Sequence, residues 1–146
     1  MLDSGIIGEE ARRFGFAWIL LCIALALHVT DEALTDFLSV YNPSVQAMRK
    51  RFRFLPLPVF TFRVWLGGLC VAILLAFCVS PLAFEGSRWI VWAAYPLAVL
   101  MFGNALGHIG ASLYRRCIMP GTYSSPFLLC ASVYLFICAQ GITHAA

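Results

Sequence analysis

The stretch FGFAWILLCIALALHVTDE, residues 14–32, opens with fourteen residues that carry no charge and ends with His28, Asp31 and Glu32. Its first part reads as the start of a membrane span. Its last part brings three titratable groups to a depth where water is scarce. Ionisable groups in such a position are costly and mark functional sites by default.

The rest of the chain agrees with a membrane reading. Of 146 residues, 62% are hydrophobic and 12% charged, whereas a soluble domain is nearer half apolar and a quarter charged. A helix crossing the hydrocarbon core needs about 20 mainly apolar residues. Four blocks qualify: 14–34, 61–79, 89–110 with a continuation toward Tyr114, and 126–143. Short loops join the second to the third and the third to the fourth, so those neighbours run antiparallel. The expectation is an all-α integral membrane protein, a four-helix up-and-down transmembrane bundle forming one domain over residues 1–146.

Charge sets an orientation. Arg49, Lys50, Arg51 and Arg53 lie between the first two blocks, with Arg63 just inside the second, and Arg115 and Arg116 lie between the last two. The opposite side carries Arg12, Arg13 and Arg88. The positive-inside rule then puts both odd-numbered loops in the cytoplasm and both termini outside, although Arg12 and Arg13 pull the other way. A bacterial cytoplasmic membrane is the expected location. Arg12-Arg13, an apolar stretch and Ala24-Leu25-Ala26 imitate a signal peptide. Asp3, Glu9 and Glu10 precede the pair, and cleavage would strand HVTDE at a free end. A retained first span is therefore expected. A net charge of +3 is not the signature of a nucleic-acid binder. The six cysteines contain no C-x-x-C pair and read as small apolar residues rather than disulfides or thiolate ligands.

YNPSVQAMRKRFRFLPLP, residues 41–58, is too polar to cross a membrane. Asn42 or Ser44 could cap a short helix around Pro43. Over residues 44–54 it would present Val45, Met48 and Phe52 on one face and basic residues around the rest. Two readings stand side by side, a helix lying in the interface against anionic lipid and an ordinary basic loop. Pro56 and Pro58 end any helix before the next block.

Two polar clusters converge. His28 shares a helix face with Asp31 and Glu32 by i,i+3 and i,i+4 spacing, and Asp36 continues the stripe. In GNALGHIGASLYRR, residues 103–116, Asn104 and His108 are four apart, and Ser112 and Arg115 extend the same face. Gly103, Gly107 and Gly110 beside them predict close helix packing. Both clusters end parallel spans, so they fall at one depth near the cytoplasmic interface. Two imidazoles and a carboxylate suit a divalent metal (zinc, iron or manganese) with an open position. The expected ligands are His28, Glu32 and His108. Asp31 would act as general base on bound water or as a supporting partner, and Asn104 would orient substrate. A ferritin-like di-iron site is underfilled, since it wants four carboxylates. His144 would lie across the membrane.

His28-x-x-Asp31-Glu32, Asn104-Ala105-x-x-His108 and Pro120-Gly121 in RRCIMPGTYSSPF (residues 115–127) together resemble the HXXEE-motif family of small bacterial membrane proteins. The motifs occur in the family's order and cover most of the chain. Asp31 stands where the family has its first glutamate. The resemblance implies a family of unknown function, expected to be enzymatic and metal-binding, with His28, Asp31, Glu32, Asn104 and His108 as site residues. The Pro120-Gly121 turn reads chiefly as a redirection into the last span. It could also hold Arg115 or Arg116 over the site to meet a lipid phosphate. The leading expectation is a membrane-embedded metal-dependent enzyme acting on a lipid or amphiphilic substrate, with hydrolysis slightly favoured. The alternatives are a non-catalytic binder of an ion or small molecule and a structural membrane subunit. Oligomeric state is left open.

Overall fold

The computed structural model describes residues 3–145 apart from 53 and 55. Its elements are six helices: α1 Asp3–Leu34, α2 Phe37–Arg51, α3 Phe62–Cys78, α4 Ser80–Phe84, α5 Arg88–Arg115 and α6 Ser125–Ala145. No strand occurs among the described residues. Arg53, expected in the basic loop, lies outside them.

Three helices are long and apolar enough to cross a membrane, over Ile7–Leu34, Arg88–Arg115 and Ser125–His144. The block expected at 61–79 differs. It forms α3, 17 residues long, which at 1.5 Å per residue is about 26 Å. Val79 closes it, and Pro81 sits at the start of α4, where a residue without an N–H is tolerated. Only Trp65 and Ile73 of α3 are buried. The tight core is thus three-helical, with α3 and α4 laid against α1.

That core is centred on α6, which packs most extensively with α5 and α1. Side-chain partners fix the directions. Asp31, near the end of α1, meets Ser124 at the start of α6. A Cβ on Gly141, near the end of α6, would meet Glu10 near the start of α1. Hence α1 and α6 are antiparallel. Tyr95 of α5 bonds Thr143 of α6, so α5 runs parallel to α1. Alanine makes the close approach possible: Ala17, Ala24, Ala94, Ala98, Ala105, Ala131 and Ala139 are all essentially fully buried. Small side chains let helix backbones approach each other closely. Gly15 serves α4 in the same way, its missing Cβ leaving room for the Phe84 ring.

The expectation that Gly103, Gly107 and Gly110 form the packing face is corrected. A Cβ at any of the three would meet nothing within 4 Å. At 3.6 residues per turn Gly103 stands about 180° around α5 from Ala94, and the alanine face has taken α6.

The segment after α1 is also rearranged. Asp36 adopts a left-handed conformation (φ 55°) and breaks the chain between α1 and α2. It therefore does not extend the polar stripe. The helix expected around 44–54 begins earlier, at Phe37, and holds Pro43 in its interior. Asn42 caps nothing; its side chain donates to Phe60 O at 2.9 Å and accepts from Phe60 N at 3.1 Å.

These packing differences predict opposite outcomes for two small-to-larger changes. Ala131→Leu should overfill the core around α6 and cost about 1–3 kcal/mol. Gly107→Ala should leave stability unchanged or slightly raised. Thermal unfolding in detergent, followed by circular dichroism, compares them.

Candidate metal centre

The buried stripe of α1 runs Phe14, Trp18, Leu21, Ala24, His28 and Glu32. The last two are therefore core positions filled by polar groups. The buried stripe of α5 runs Val91, Ala94, Ala98, Ala105 and His108. The backbones of α1 and α5 hardly touch, because α6 lies between them. At the site end, long polar side chains bridge the gap that small apolar ones would leave open.

His28, Glu32 and His108 are 0%, 5% and 9% exposed. Glu32 Oε1 lies 3.1 Å from His108 Nε2 and 3.6 Å from His28 Nε2. The imidazole centroids are 4.9 Å apart, edge to face. One ligand atom from each of the three lies within 4.8 Å of the others, so the group could hold a metal ion. The distances fit. Two ligands about 2.1 Å from a tetrahedral metal stand roughly 3.4 Å apart, and the two carboxylate–imidazole separations bracket that value.

The opposite ring nitrogens fix the tautomers. His108 Nδ1 is 2.5 Å from Pro120 O. A carbonyl only accepts, so Nδ1 carries the proton and Nε2 presents its lone pair. For His28 the chain is longer. Asp31 Oδ2 accepts from Ser124 N at 2.9 Å and from Ser124 Oγ at 2.8 Å. With its hydrogen so used, Ser124 Oγ accepts from His28 Nδ1 at 2.9 Å. His28 Nε2 is then also a lone pair, and Asn104 Nδ2 donates to it at 3.1 Å. A ring N–H donated to a carbonyl or a carboxylate-linked group is how metal-binding histidines are oriented. Asn104 thus meets the His28 lone pair, while the close contact of Glu32 Oε1 with His108 Nε2 needs a cation or a proton between them, since acceptors in such contact repel.

The Pro120-Gly121 turn, expected chiefly to redirect the chain, is part of the site. Pro120 supplies the carbonyl that orients His108. Gly121 has φ 81°, and a Cβ there would stand 2.9 Å from His108 Cε1 and Nδ1 and 3.1 Å from Glu32 Cγ. Only glycine combines that backbone with that proximity. Ser112 Oγ, bonded to Thr122 Oγ1 at 2.6 Å and to Met119 N at 3.0 Å, ties the turn to α5.

The five residues of the two helical clusters come together. Arg115 and Arg116 do not join them. Both are exposed, Arg116 terminates α5 with φ 53°, and neither shares a hydrogen bond or ion pair with the site among the described residues. His144 lies in the last turn of α6, about 30 Å of helix from Ser125, and does not join either. Ser124 was missed. It belongs to no helical spacing, and its only trace in the sequence is a serine just before a Ser-Pro helix start.

The family model described as "Protein of unknown function with HXXEE motif" matches residues 18–144. The chain belongs to this family. No curated protein and no solved structure matches it.

Gly121→Ala should strain the turn by roughly 1–2 kcal/mol from backbone alone and push on His108 and Glu32 besides. Tyr123→Ala, two residues on and exposed, should leave the unfolding midpoint unchanged. Equal midpoints for the two variants would remove the close-approach argument.

Proposed function

We propose that the chain is a membrane-embedded, metal-dependent enzyme whose centre is His28, Glu32 and His108, acting on a lipid or another amphiphile at the cytoplasmic interface. The observation that carries this is the paired histidine geometry. Both rings are held from behind at Nδ1 and bring Nε2 within 3.6 Å of the same carboxylate oxygen. Two histidines and a carboxylate are a ligand set of catalytic rather than structural zinc, and the same set also suits iron(II). A divalent zinc, iron or manganese ion held there would supply Lewis-acid chemistry toward water.

The chain's own residues then divide the work. His28, Glu32 and His108 hold the ion. Asp31, engaged by both donors of Ser124, fixes the His28 ring through that hydroxyl. Its shorter side chain, in place of the family's glutamate, suits this contact with a backbone N–H. Asn104 Nδ2 is a donor beside the ligand set and is suited to steady negative charge that develops on a substrate oxygen. Phe37, whose ring centroid is 5.6 Å from that of His108, helps keep water from the centre. The three long apolar helices support the membrane setting. The basic residues of α2 and of the end of α5 support a cytoplasmic face at the site end.

One observation favours a second reading, a non-catalytic polar junction or proton-carrying site. Among the described residues no buried side-chain nitrogen or oxygen lacks a partner, so a proton at the Glu32–imidazole contact satisfies the cluster without an ion.

Metal content separates the two. Wild type, purified in detergent without a polyhistidine tag, should carry about one zinc, iron or manganese per chain by plasma mass spectrometry. His28→Ala and His108→Ala should carry none. Metal-free wild type that also refuses reconstitution would establish the junction reading. Ser124→Ala leaves every ligand in place and should weaken zinc roughly 10- to 100-fold, measured by chelator competition.

A further inference from the structure

A groove of about 400 Å³ runs between α2 and α5, which hardly touch each other. Its floor is Gly103, Gly107 and Ala111, one row of α5, and Phe37 and Tyr41 of α2 form the opposite wall. Asn104 and His108 also line it. By helical angle these two lie between the glycine row and the buried alanine face of α5. The groove is thus the side from which the buried centre is reached.

Its direction has chemical content. Gly103 lies near the middle of α5, and Ala111 lies toward the end. The row spans about 12 Å along the helix, and its next member, one turn on, is exposed Arg115. Arg116 follows. The groove is therefore apolar along the glycine row and polar along Asn104 and His108, and on α5 it leads toward a cation. An amphiphile offers the matching parts: an apolar chain, a polar linkage and a charged head. The volume is near the lower end of small-molecule sites, enough for one chain rather than two.

We infer that this groove seats a single-chain anionic amphiphile, its chain along the Gly103–Gly107 side, its head linkage beside His108, and its charge toward Arg115. That it is a substrate rather than only a ligand rests on the enzymatic reading above. The groove also explains why glycines stand at positions where no helix packs.

The test uses the full chain in nanodiscs, with a lysophosphatidic acid as probe. Its neutral choline ester and chainless glycerol 3-phosphate are the comparators, and native mass spectrometry counts bound molecules. Wild type should prefer lysophosphatidic acid to both. Gly107→Leu, whose side chain enters the open groove, should bind it at least about tenfold more weakly with helical content and metal content as in wild type. Arg115→Gln should narrow the preference over the choline ester. Unchanged binding by Gly107→Leu would overturn the inference. So would a dimer of wild type that Gly107→Leu dissociates without loss of lipid binding, because the groove would then belong to a second copy. A metal-free wild type in which Gly107→Leu still blocks binding would uphold the groove while removing the metal-dependent enzyme.

Discussion

The contact on which the rest depends is Glu32 Oε1 held between the Nε2 atoms of His28 and His108. A carboxylate this deeply buried is costly unless charge or hydrogen bonds meet it. Both imidazoles must therefore stay where they are, and each is held from behind. Pro120 O holds one ring, and Ser124 with Asp31 holds the other. Satisfying one carboxylate, through a proton or cation shared with these rings, thus links α1, α5, the turn after α5 and the start of α6. The same contact joins α1 to α5, whose backbones are otherwise separated by α6.

Asp31 and Glu32 are neighbours with different duties because a helix separates adjacent side chains by about 100°. Glu32 points into the α1 core stripe. Asp31 points along its edge, toward the first backbone N–H groups of α6, where a negative charge is favoured by the helix dipole. The two carboxylates are thus given distinct partners by geometry alone. The Ser124 hydroxyl couples them, since it accepts from His28 and donates to Asp31. Movement at the start of α6 is transmitted to the His28 ring.

The sequence-level expectations held where periodicity carries the information. The apolar blocks became helices, and the parallel run of α1 and α5 put His28 and His108 at one depth, 4.9 Å between ring centres. They failed where a face had to be assigned a partner. Glycines at i,i+4 spacing and alanines at i,i+4 spacing are equally good packing signals. Alanine took the role here because it buries some apolar area while still permitting close approach, and the glycine row was left open. Proline was a poor guide in α2, where Pro43 lies mid-helix rather than in the first turn, and Asn42 bonds a distant strand of loop instead of capping.

The sequence by itself determined the helical class, the apolar lengths and the pairing of His28 with Glu32 and of Asn104 with His108, because these depend on spacings within one helix. Tertiary structure alone decided that α3 is peripheral, that Pro120 and Gly121 build the site rather than merely turn the chain, and that Ser124 orients His28. Those features join residues up to 96 positions apart, and they depend on which helix faces meet. No local spacing encodes a contact whose geometry exists only once α1 and α5 have packed around α6.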